Sequence, residues 1–201
     1  MSRPAFSRFL LASSNSGKLR EYKELAAHSG IEIEPVPDFA KLPAFDESAP
    51  TFAENAAGKA LHYSRLAEGV VLADDSGLVV PALGGAPGVR SARYAGPHAT
   101  DADRIGKLLR EIEGRMGDER RARFVCVTAI ATRGRALAVV SGSAEGTICE
   151  APRGSSGFGY DPIFQMIDSN RTYAELPAEE KNRRSHRGRS FAKLAAILEA
   201  F

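Results

Sequence analysis

Two adjacent acids, Asp74 and Asp75, follow a short apolar run and have the residue types for metal-assisted hydrolysis. The run Val70–Ala73 predicts a buried strand, so the acids are expected where that strand ends at a surface crevice. Carboxylate oxygens are the ligands that Mg²⁺ prefers, and a carboxylate also accepts protons. The Asp-Ser-Gly composition equally suits a simple turn, and in an extended chain the two acids would point to opposite faces.

A second candidate site is a run of small polar residues near the start of the chain. Small residues let backbone N–H groups point at an anion, and the helix expected after the run has a positive end. A Walker pattern is not matched, because Ala12 and Leu19 occupy two of its defining places. Ordinary helix capping explains the same residues equally well. The run is Ser13-Ser14-Asn15-Ser16-Gly17-Lys18.

Three further segments each have a functional and a purely structural interpretation. Glu54 can offer a metal oxygen, although its spacing from Thr51 favours a capping box. The glycine-flanked aromatic residues of 157–162 can stack on a base or plug a turn. The basic run 181–189 can form a phosphate or base pocket, bind nucleic acid, or be a solvated face.

Apolar periodicity predicts the elements that must position these residues, and it indicates an α/β chain. Helices are expected after the polar run at 13–18, from Thr51 to about Glu68, around Ile105–Ile112, and near the end of the chain. Strands are expected at Phe9–Ala12, Ile31–Val36, Val70–Ala73, Phe124–Thr132 and Ala136–Ser141, the last two joined by a turn at Arg133-Gly134-Arg135.

Composition limits the classes of function. The 201 residues are 43% hydrophobic, which allows one sizeable core, and 27 basic residues against 25 acidic ones give no long-range reason to bind nucleic acid or membranes. The first segment, Met1 to Arg8, is short and polar and does not have the pattern of an export signal, so a cytoplasmic protein is expected. Cys126 and Cys149 form no Cys-x-x-Cys pair and are interpreted as reduced structural residues.

Taken in order, these segments resemble the Ham1/RdgB family of non-canonical purine nucleoside-triphosphate pyrophosphatases over about residues 9–200. Each motif alone is only moderately specific, whereas their order and spacing together are a strong signal. The motifs are Ser13-x-Asn15-x-x-Lys18-x-x-Glu21, Thr51-Phe52-x-Glu54-Asn55-Ala56, Ala73-Asp74-Asp75-Ser76-Gly77-Leu78, Gly85-Ala86-Pro87-Gly88-Val89-x-Ser91-Ala92-Arg93-Tyr94, Gly157-Phe158-Gly159-Tyr160-Asp161-Pro162 and Ser185-His186-Arg187.

The resemblance implies a fold and a reaction. The expected fold is an elongated mixed β-sheet flanked by helices, with two lobes around a central nucleotide-binding cleft, in one domain over residues 1–201 that includes a short extension at 1–8. The expected reaction is hydrolysis of ITP, dITP and XTP to the monophosphate and pyrophosphate, with Mg²⁺ as cofactor. A homodimer is expected, with no nucleic-acid polymer and no membrane as partner.

The resemblance also assigns roles to residues. Asp75 is the expected proton acceptor and a metal ligand, Glu54 is a second metal ligand, and Asp74 is expected to support the metal shell. Lys59 is a weaker phosphate candidate. The expected substrate contacts are Ser13, Ser14, Asn15, Ser16, Gly17 and Lys18 on the triphosphate, Ser76, and Phe158, Gly159, Tyr160, Asp161, Lys181, His186 and Arg187 around the base.

Two alternatives stay open at the level of the sequence. One is a house-cleaning pyrophosphatase for modified pyrimidine nucleotides, as in the Maf group, which uses similar phosphate chemistry and a different base pocket. The other is an RNA-binding module that uses the basic run 181–189 together with Phe158. The second alternative leaves the pair of acids at 74 and 75 without a role.

Overall fold

The computed structural model describes residues 6–27 and 29–200, so residues 1–5 of the predicted extension lie outside the described residues. The chain forms two compact units. Among the described residues, the first unit contains 6–27, 29–75, 126–142 and 186–200, and the second contains 76–125 and 143–185. A single domain over the whole chain stays a prediction.

The strands of the described residues form one mixed sheet in the order β2-β1-β3-β4-β5-β6. Strand β1 pairs in parallel with β2 and with β3, whereas β5 and β6 are antiparallel. The predicted mixed α/β fold is therefore confirmed. The strands are β1 Arg8–Leu11, β2 Glu32–Pro35, β3 Val70–Val79, β4 Arg121–Thr132, β5 Arg135–Ile148 and β6 Phe164–Met166.

A tight turn joins β4 to β5, as the sequence predicts. Arg133 and Gly134 both have positive φ, 48° and 74°, which is the backbone of a two-residue hairpin turn whose twist matches the strands it joins. Both strands are longer than their apolar runs, because β4 begins at Arg121 and β5 continues to Ile148. Buried and exposed residues alternate along the second half of β5, which is the pattern of a strand with one covered face.

The helices lie close to their predicted positions, with one correction. The predicted helix to about Glu68 ends at Tyr63, because the N–H groups of Arg65 and Leu66 turn back to the carbonyls of His62 and Tyr63 and leave the helical pattern. The helices of the described residues are α1 Ser16–Ala26, α2 Phe52–Tyr63, α3 Asp101–Glu111, α4 Ala178–Arg184 and α5 His186–Glu199. Among these residues no helix is both long and apolar enough to cross a membrane.

Each unit has a hydrophobic core of its own. The core of the first unit holds the inner faces of β1, β3, α1 and α5, so the strand with the two acids packs against fixed neighbours. The core of the second unit lies around α3, β6 and the aromatic rings of Phe124, Phe164 and Tyr173. The main apolar residues are Phe9, Leu11, Tyr22, Leu72, Ile130, Phe191 and Leu194 in the first core and Leu78, Leu108, Ile112, Ile148 and Ile163 in the second.

Candidate active site

The two acids at 74 and 75 lie inside strand β3, which continues to Val79, so the predicted strand end and turn are wrong. The glycine that suggested a turn has a different function. A Cβ on Gly77 would lie 2.4 Å from the carbonyl oxygen of Gly88, so this glycine permits a close approach of two chain segments. The next residue, Leu78, donates its N–H to Ser91 Oγ at 2.9 Å and continues the strand.

Asp74 is completely buried and its two oxygens contact different cations. Lys18 Nζ donates to Oδ1 at 2.9 Å, and Arg187 Nη2 donates to Oδ2 at 3.2 Å. Burial opposes ionisation, yet the charges of Lys18, Arg187 and Lys59 hold the pKa of Asp74 well below its usual range. Asp74 is therefore an ionised, fully engaged carboxylate that orders the cations around it.

Asp75 points to different neighbours, as alternation along an extended strand requires. Asn55 Nδ2 donates to its Oδ2 at 3.0 Å, and this is the sole hydrogen bond that the carboxylate accepts from the described residues. Asn55 is itself held by the N–H and the carbonyl of Ala49, at 3.0 and 3.2 Å. Burial raises the pKa of Asp75 although Lys18 and Asn55 oppose the shift. A carboxylate with a raised pKa and an uncommitted oxygen suits proton transfer or metal binding.

Glu47 is a further candidate site residue, which none of the sequence motifs contains. Its Oε1 lies 2.6 Å from Nζ of the buried Lys59, and its charge contributes to the raised pKa of Asp75. Burial lowers the pKa of Lys59, but Asp74, Glu47 and Asp75 together raise it above its ordinary value. The available signal was an acidic residue in the loop before α2, where no periodicity distinguishes it from other loop acids.

Glu54 takes part in capping α2, but its carboxylate accepts the hydroxyl of Thr51 and not the backbone N–H that a full capping box would use. Its backbone N–H donates to Thr51 Oγ1 at 3.2 Å, and that hydroxyl donates to Glu54 Oε2 at 2.7 Å. The side chain is exposed at the start of α2. Within residues 6–27 and 29–200 no three His, Cys, Asp or Glu side chains are grouped so that they could hold a metal ion. The metal role of Glu54 stays a prediction.

The polar run before α1 combines capping with an open helix terminus. Asn15 caps the helix, because its Oδ1 accepts the N–H of Lys18 at 3.0 Å, and Ser13 Oγ accepts the N–H of Asn15 at 3.2 Å. Ser14 and Ser16 are exposed, Gly17 is buried, and the first turn of α1 contains no acid. An exposed helix start without a competing carboxylate suits an anion.

The start of helix α5 is buried, so a solvated face is the wrong interpretation for this part of the basic run. Arg187 is 2% exposed, forms an ion pair with Glu21 besides the one with Asp74, and its guanidinium carbon lies 5.8 Å from the centre of the Tyr22 ring. His186 is buried beside it. The structure thus brings Arg187 to the acids of the first unit.

In the second unit, the glycine-flanked loop forms a compact cluster with α4. Asp161 Oδ2 accepts the N–H of Phe158 at 2.9 Å and also pairs with Lys181 Nζ. Lys181 Nζ lies 5.1 Å from the centre of the half-buried Phe158 ring. Tyr160 instead belongs to the core of this unit, and its hydroxyl donates to Ser91 O at 3.0 Å. The cluster therefore presents an aromatic ring beside a buried ammonium.

The remaining predicted contacts are backbone neighbours of these groups. Ser76 follows Asp75 in β3 and is partly buried, and Gly159 follows Phe158 with φ 64°.

Both cysteines are free thiols, and Cys126 is buried with its Sγ 3.7 Å from Asp74 Oδ2. Burial raises the pKa of Cys126 to about 11, so this thiol is an inert neighbour of the acid.

Taken together, these features define a class of protein. It is a mixed α/β protein with carboxylates and buried cations around an exposed helix start in one unit, and an aromatic ring with a fixed ammonium in the other. The groups of the first unit suit an anion with several negative charges, and those of the second unit suit a planar ring.

The chain belongs to the Ham1 family, whose family model matches residues 9–197. A dITP/XTP pyrophosphatase of Geobacillus kaustophilus is 51% identical over 185 residues, which cover 92% of this chain and 91% of the relative. The dITP/XTP pyrophosphatase of Bacillus licheniformis is 45% identical over 94% and 97% of the two chains. A HAM1 protein structure from Coxiella burnetii has a TM-score of 0.85 at 44% identity, over 96% of this chain and 99% of that one.

Proposed function

We propose that this protein hydrolyses non-canonical purine nucleoside triphosphates, ITP, dITP and XTP, to the monophosphate and pyrophosphate. The observation that carries the proposal is the geometry of Asp75, a buried carboxylate with a raised pKa, oriented by Asn55 and flanked by the cations that Asp74 and Glu47 hold. The names of relatives that are 42–51% identical over more than nine tenths of this chain support the same activity.

The triphosphate is bound by the start of α1 and two lysines. The exposed residues Ser14, Asn15 and Ser16 precede or begin the helix, where backbone N–H groups face an anion. Lys18 and Lys59 are held by Asp74 and Glu47, so their ammonium groups are ordered before substrate arrives. Ordered cations lose little conformational freedom on binding, which favours affinity for phosphate.

The donor set fits Mg²⁺. Asp75 has an oxygen that accepts no hydrogen bond from the described residues, and Glu47 is close enough for its charge to raise the pKa of Asp75. The family resemblance suggests Glu54 as a second ligand, and its carboxylate accepts the hydroxyl of Thr51. One or two carboxylates are sufficient, because Mg²⁺ usually completes its shell with water and substrate phosphates. The ion would neutralise the charge on the phosphate oxygens that the incoming water approaches.

Asp75 is the proton acceptor in the proposed reaction. Its carboxylate takes a proton from water while the water oxygen forms a bond to the α-phosphorus. The bond from the α-phosphorus to the bridging oxygen breaks, and pyrophosphate leaves with that oxygen and its electron pair. Burial raises the pKa of Asp75, which increases its basicity once ionised, and the amide of Asn55 fixes the direction of the carboxylate.

Phe158 stacks on the purine, and Lys181 selects the base. The oxo group at the six-position of hypoxanthine or xanthine accepts hydrogen bonds, whereas the amino group of adenine donates them. Lys181 presents only donors, and Asp161 fixes its position. Adenine would leave a buried donor facing another donor, which is a large penalty. His186 and Arg187 are further candidates for the base side.

The other predicted partners complete the proposal. We expect a cytoplasmic homodimer that binds neither nucleic-acid polymers nor membranes. Burial of Lys181, His186 and Arg187 argues against an exposed surface for RNA, and the charges of Lys181 and Arg187 already face acids of the protein. No observation favours a modified pyrimidine as substrate.

A substrate panel tests the proposal. Pyrophosphate release is measured with ITP, XTP, ATP, GTP and a modified pyrimidine triphosphate, each with Mg²⁺ and each with EDTA. The proposal requires turnover of ITP and XTP that is about a hundredfold or more above that of ATP, since a mismatched buried donor costs a few kcal/mol. Equal rates for ITP and ATP, or undiminished rates in EDTA, would contradict it.

A further inference from the structure

The backbone around Phe158 is held from both sides by carboxylates. Asp161 Oδ2 accepts the N–H of Phe158 at 2.9 Å, and Asp101 Oδ2 accepts the N–H of Gly159 at 2.7 Å. These are the peptide groups before and after the Cα of Phe158. Fixing both of them fixes the direction in which the ring leaves the backbone. Asp161 lies in the same loop, whereas Asp101 is 58 positions away in the chain.

Asp101 is fixed by a second residue of the same helix. It is the first residue of α3, and its Oδ1 pairs with Arg104 Nη2 one turn later. Arg104 Nη1 in turn donates to the carbonyls of Ala92 and Ala99, both at 2.8 Å. The Arg104 side chain is 18% exposed and therefore largely shielded from water. The carboxylate that receives Gly159 N–H is thus anchored to α3 and to the segment before it.

The loop at 157–161 gains from a contact outside itself, because its glycines can adopt many backbone conformations. Gly157 and Gly159 both have positive φ, 79° and 64°, and glycine pays a large entropic cost when such a backbone is fixed. The loop is short of apolar anchors on the Phe158 side, since that ring is only partly buried while Tyr160 lies in the core. A charge-assisted bond to Gly159 offsets part of the ordering cost before a ligand arrives.

We propose that Asp101, held by Arg104, is a positioning residue that sets the Phe158 ring for stacking on the purine base. This inference rests on the proposed function for the identity of the ligand. Among the described residues, the side chain of Asp101 contacts Gly159 and Arg104 and none of the proposed metal ligands, so it acts on base binding through Phe158 and leaves the chemical step unchanged.

The helix itself supplies a matched control. Asp103 lies in the same first turn as Asp101, and its carboxylate accepts the N–H and the hydroxyl of the capping residue Thr100 at 2.8 and 2.6 Å. Asp103→Ala therefore removes an acid that stabilises the same helix end without touching the loop at 157–161. Any effect of Asp101→Ala that only reflects a weaker α3 will also be seen in Asp103→Ala.

Steady-state kinetics with ITP separates a role of Asp101 in positioning Phe158 from a role in stabilising helix α3. Asp101→Ala is expected to raise KM about three- to tenfold, which corresponds to one charge-assisted hydrogen bond at a partly exposed site, with kcat within about twofold of wild type. Asp101→Asn keeps a neutral hydrogen-bond acceptor, so its KM should lie between those of wild type and Asp101→Ala. This variant replaces Asp101→Ala in the test if the alanine variant does not fold. Asp103→Ala should leave KM unchanged. In a Phe158→Ala background, Asp101→Ala should have no further effect.

A second measurement keeps this inference distinct from the proposed function. Amide hydrogen exchange of Gly159, followed by NMR without nucleotide, should be faster in Asp101→Ala than in wild type and unchanged in Asp103→Ala. If wild type does not release pyrophosphate from ITP, the proposed function fails while the exchange result still decides whether Asp101 holds the loop. Equal Gly159 exchange in wild type and Asp101→Ala, or a full KM effect of Asp101→Ala without the Phe158 ring, would overturn the positioning role.

Discussion

Asp74 and Asp75 are neighbours in strand β3, yet folding shifts their pKa values in opposite directions. Asp74 is buried between Lys18 and Arg187, whose charges lower its pKa despite burial. Asp75 points the other way, contacts Asn55, and has a pKa that burial raises. One acid therefore organises charge and the other is available for chemistry.

The first prediction concerns the proton acceptor. Asp75→Asn should lower kcat for ITP by about two to four orders of magnitude, the range for loss of a general base, while the fold is retained. Stability should not fall, because burial already disfavours the charged form of Asp75 and asparagine is neutral. Pyrophosphate release and urea unfolding of the same preparation measure both effects. A variant with near wild-type kcat would remove Asp75 from the reaction.

The opposite pKa shifts predict opposite pH dependences of stability. Since the folded pKa of Asp74 is lowered, its contribution is present above the ordinary value of about 4 and lost as the pH falls towards the folded pKa. The stability gap between wild type and Asp74→Asn should therefore narrow in acid. For Asp75 the folded pKa is raised, so wild type should lose stability relative to Asp75→Asn as the pH rises above about 4.

Urea unfolding in EDTA, at several pH values from acid to neutral, measures both gaps without bound metal ions. The two neighbouring variants are controls for each other, because any general acid effect moves both gaps together. Parallel pH profiles for the two variants would show that the environments of the acids do not differ as described.

Replacing one member of the buried pair of Arg187 and Glu21 should reduce the free energy of unfolding strongly. Replacing both members should reduce it by less than the sum of the two single effects. Arg187→Met removes the cation that pairs with the buried carboxylates of Glu21 and Asp74, and it should reduce the free energy of unfolding by about 3 kcal/mol or more. The double variant with Glu21→Met should lose less than the sum of the two single losses, by about 1 kcal/mol or more. Urea unfolding of the four proteins gives the coupling directly.

A surface pair provides the control for this cycle. Arg115 and Glu119 lie 3.3 Å apart with side chains 36% and 60% exposed, and the same substitutions there should couple by less than about 1 kcal/mol. Equal coupling in the surface and buried cycles would mean that the ions at 21 and 187 are not desolvated.

The aromatic ring should contribute to binding more than to catalysis. Phe158→Ala removes a stacking surface worth about 1–3 kcal/mol per base, so KM for ITP should rise by about fivefold or more with a smaller change in kcat. Phe158→Tyr keeps the stacking face and should behave like wild type. If the alanine variant kept the wild-type KM, the ring would have no contact with the base.

Apolar periodicity and turn composition predict the secondary-structure elements whose formation depends on one local pattern. The helix after Asn15, the hairpin at Arg133-Gly134 and the buried strand from Val70 are each specified by their own residues, and all are present. The end of β3 was wrongly predicted because an Asp-Ser-Gly segment has the same composition in a turn and in a strand that another segment approaches closely. Only the neighbours of Gly77, distant in sequence, distinguish the two.

The candidate site shows the same limit for charged residues. Nothing local reveals that Arg187 is buried, since its partners Glu21 and Asp74 are 166 and 113 positions away. Glu47 was missed because it is one acid in a polar loop, and its importance comes from Lys59 on the following helix. The motifs contain Lys18, Asp74 and Arg187, which the structure brings into contact, but the different environments of the acids depend on tertiary contacts.

Hydrolysis of ITP in ¹⁸O-labelled water tests the central claim most directly, because it reports which phosphorus the water attacks. Attack at the α-phosphorus, with Asp75 accepting the proton, predicts inosine monophosphate that carries the label and pyrophosphate that does not. Mass spectrometry of the two products reads this in one experiment. Label in pyrophosphate, or formation of inosine diphosphate and phosphate, would contradict the account.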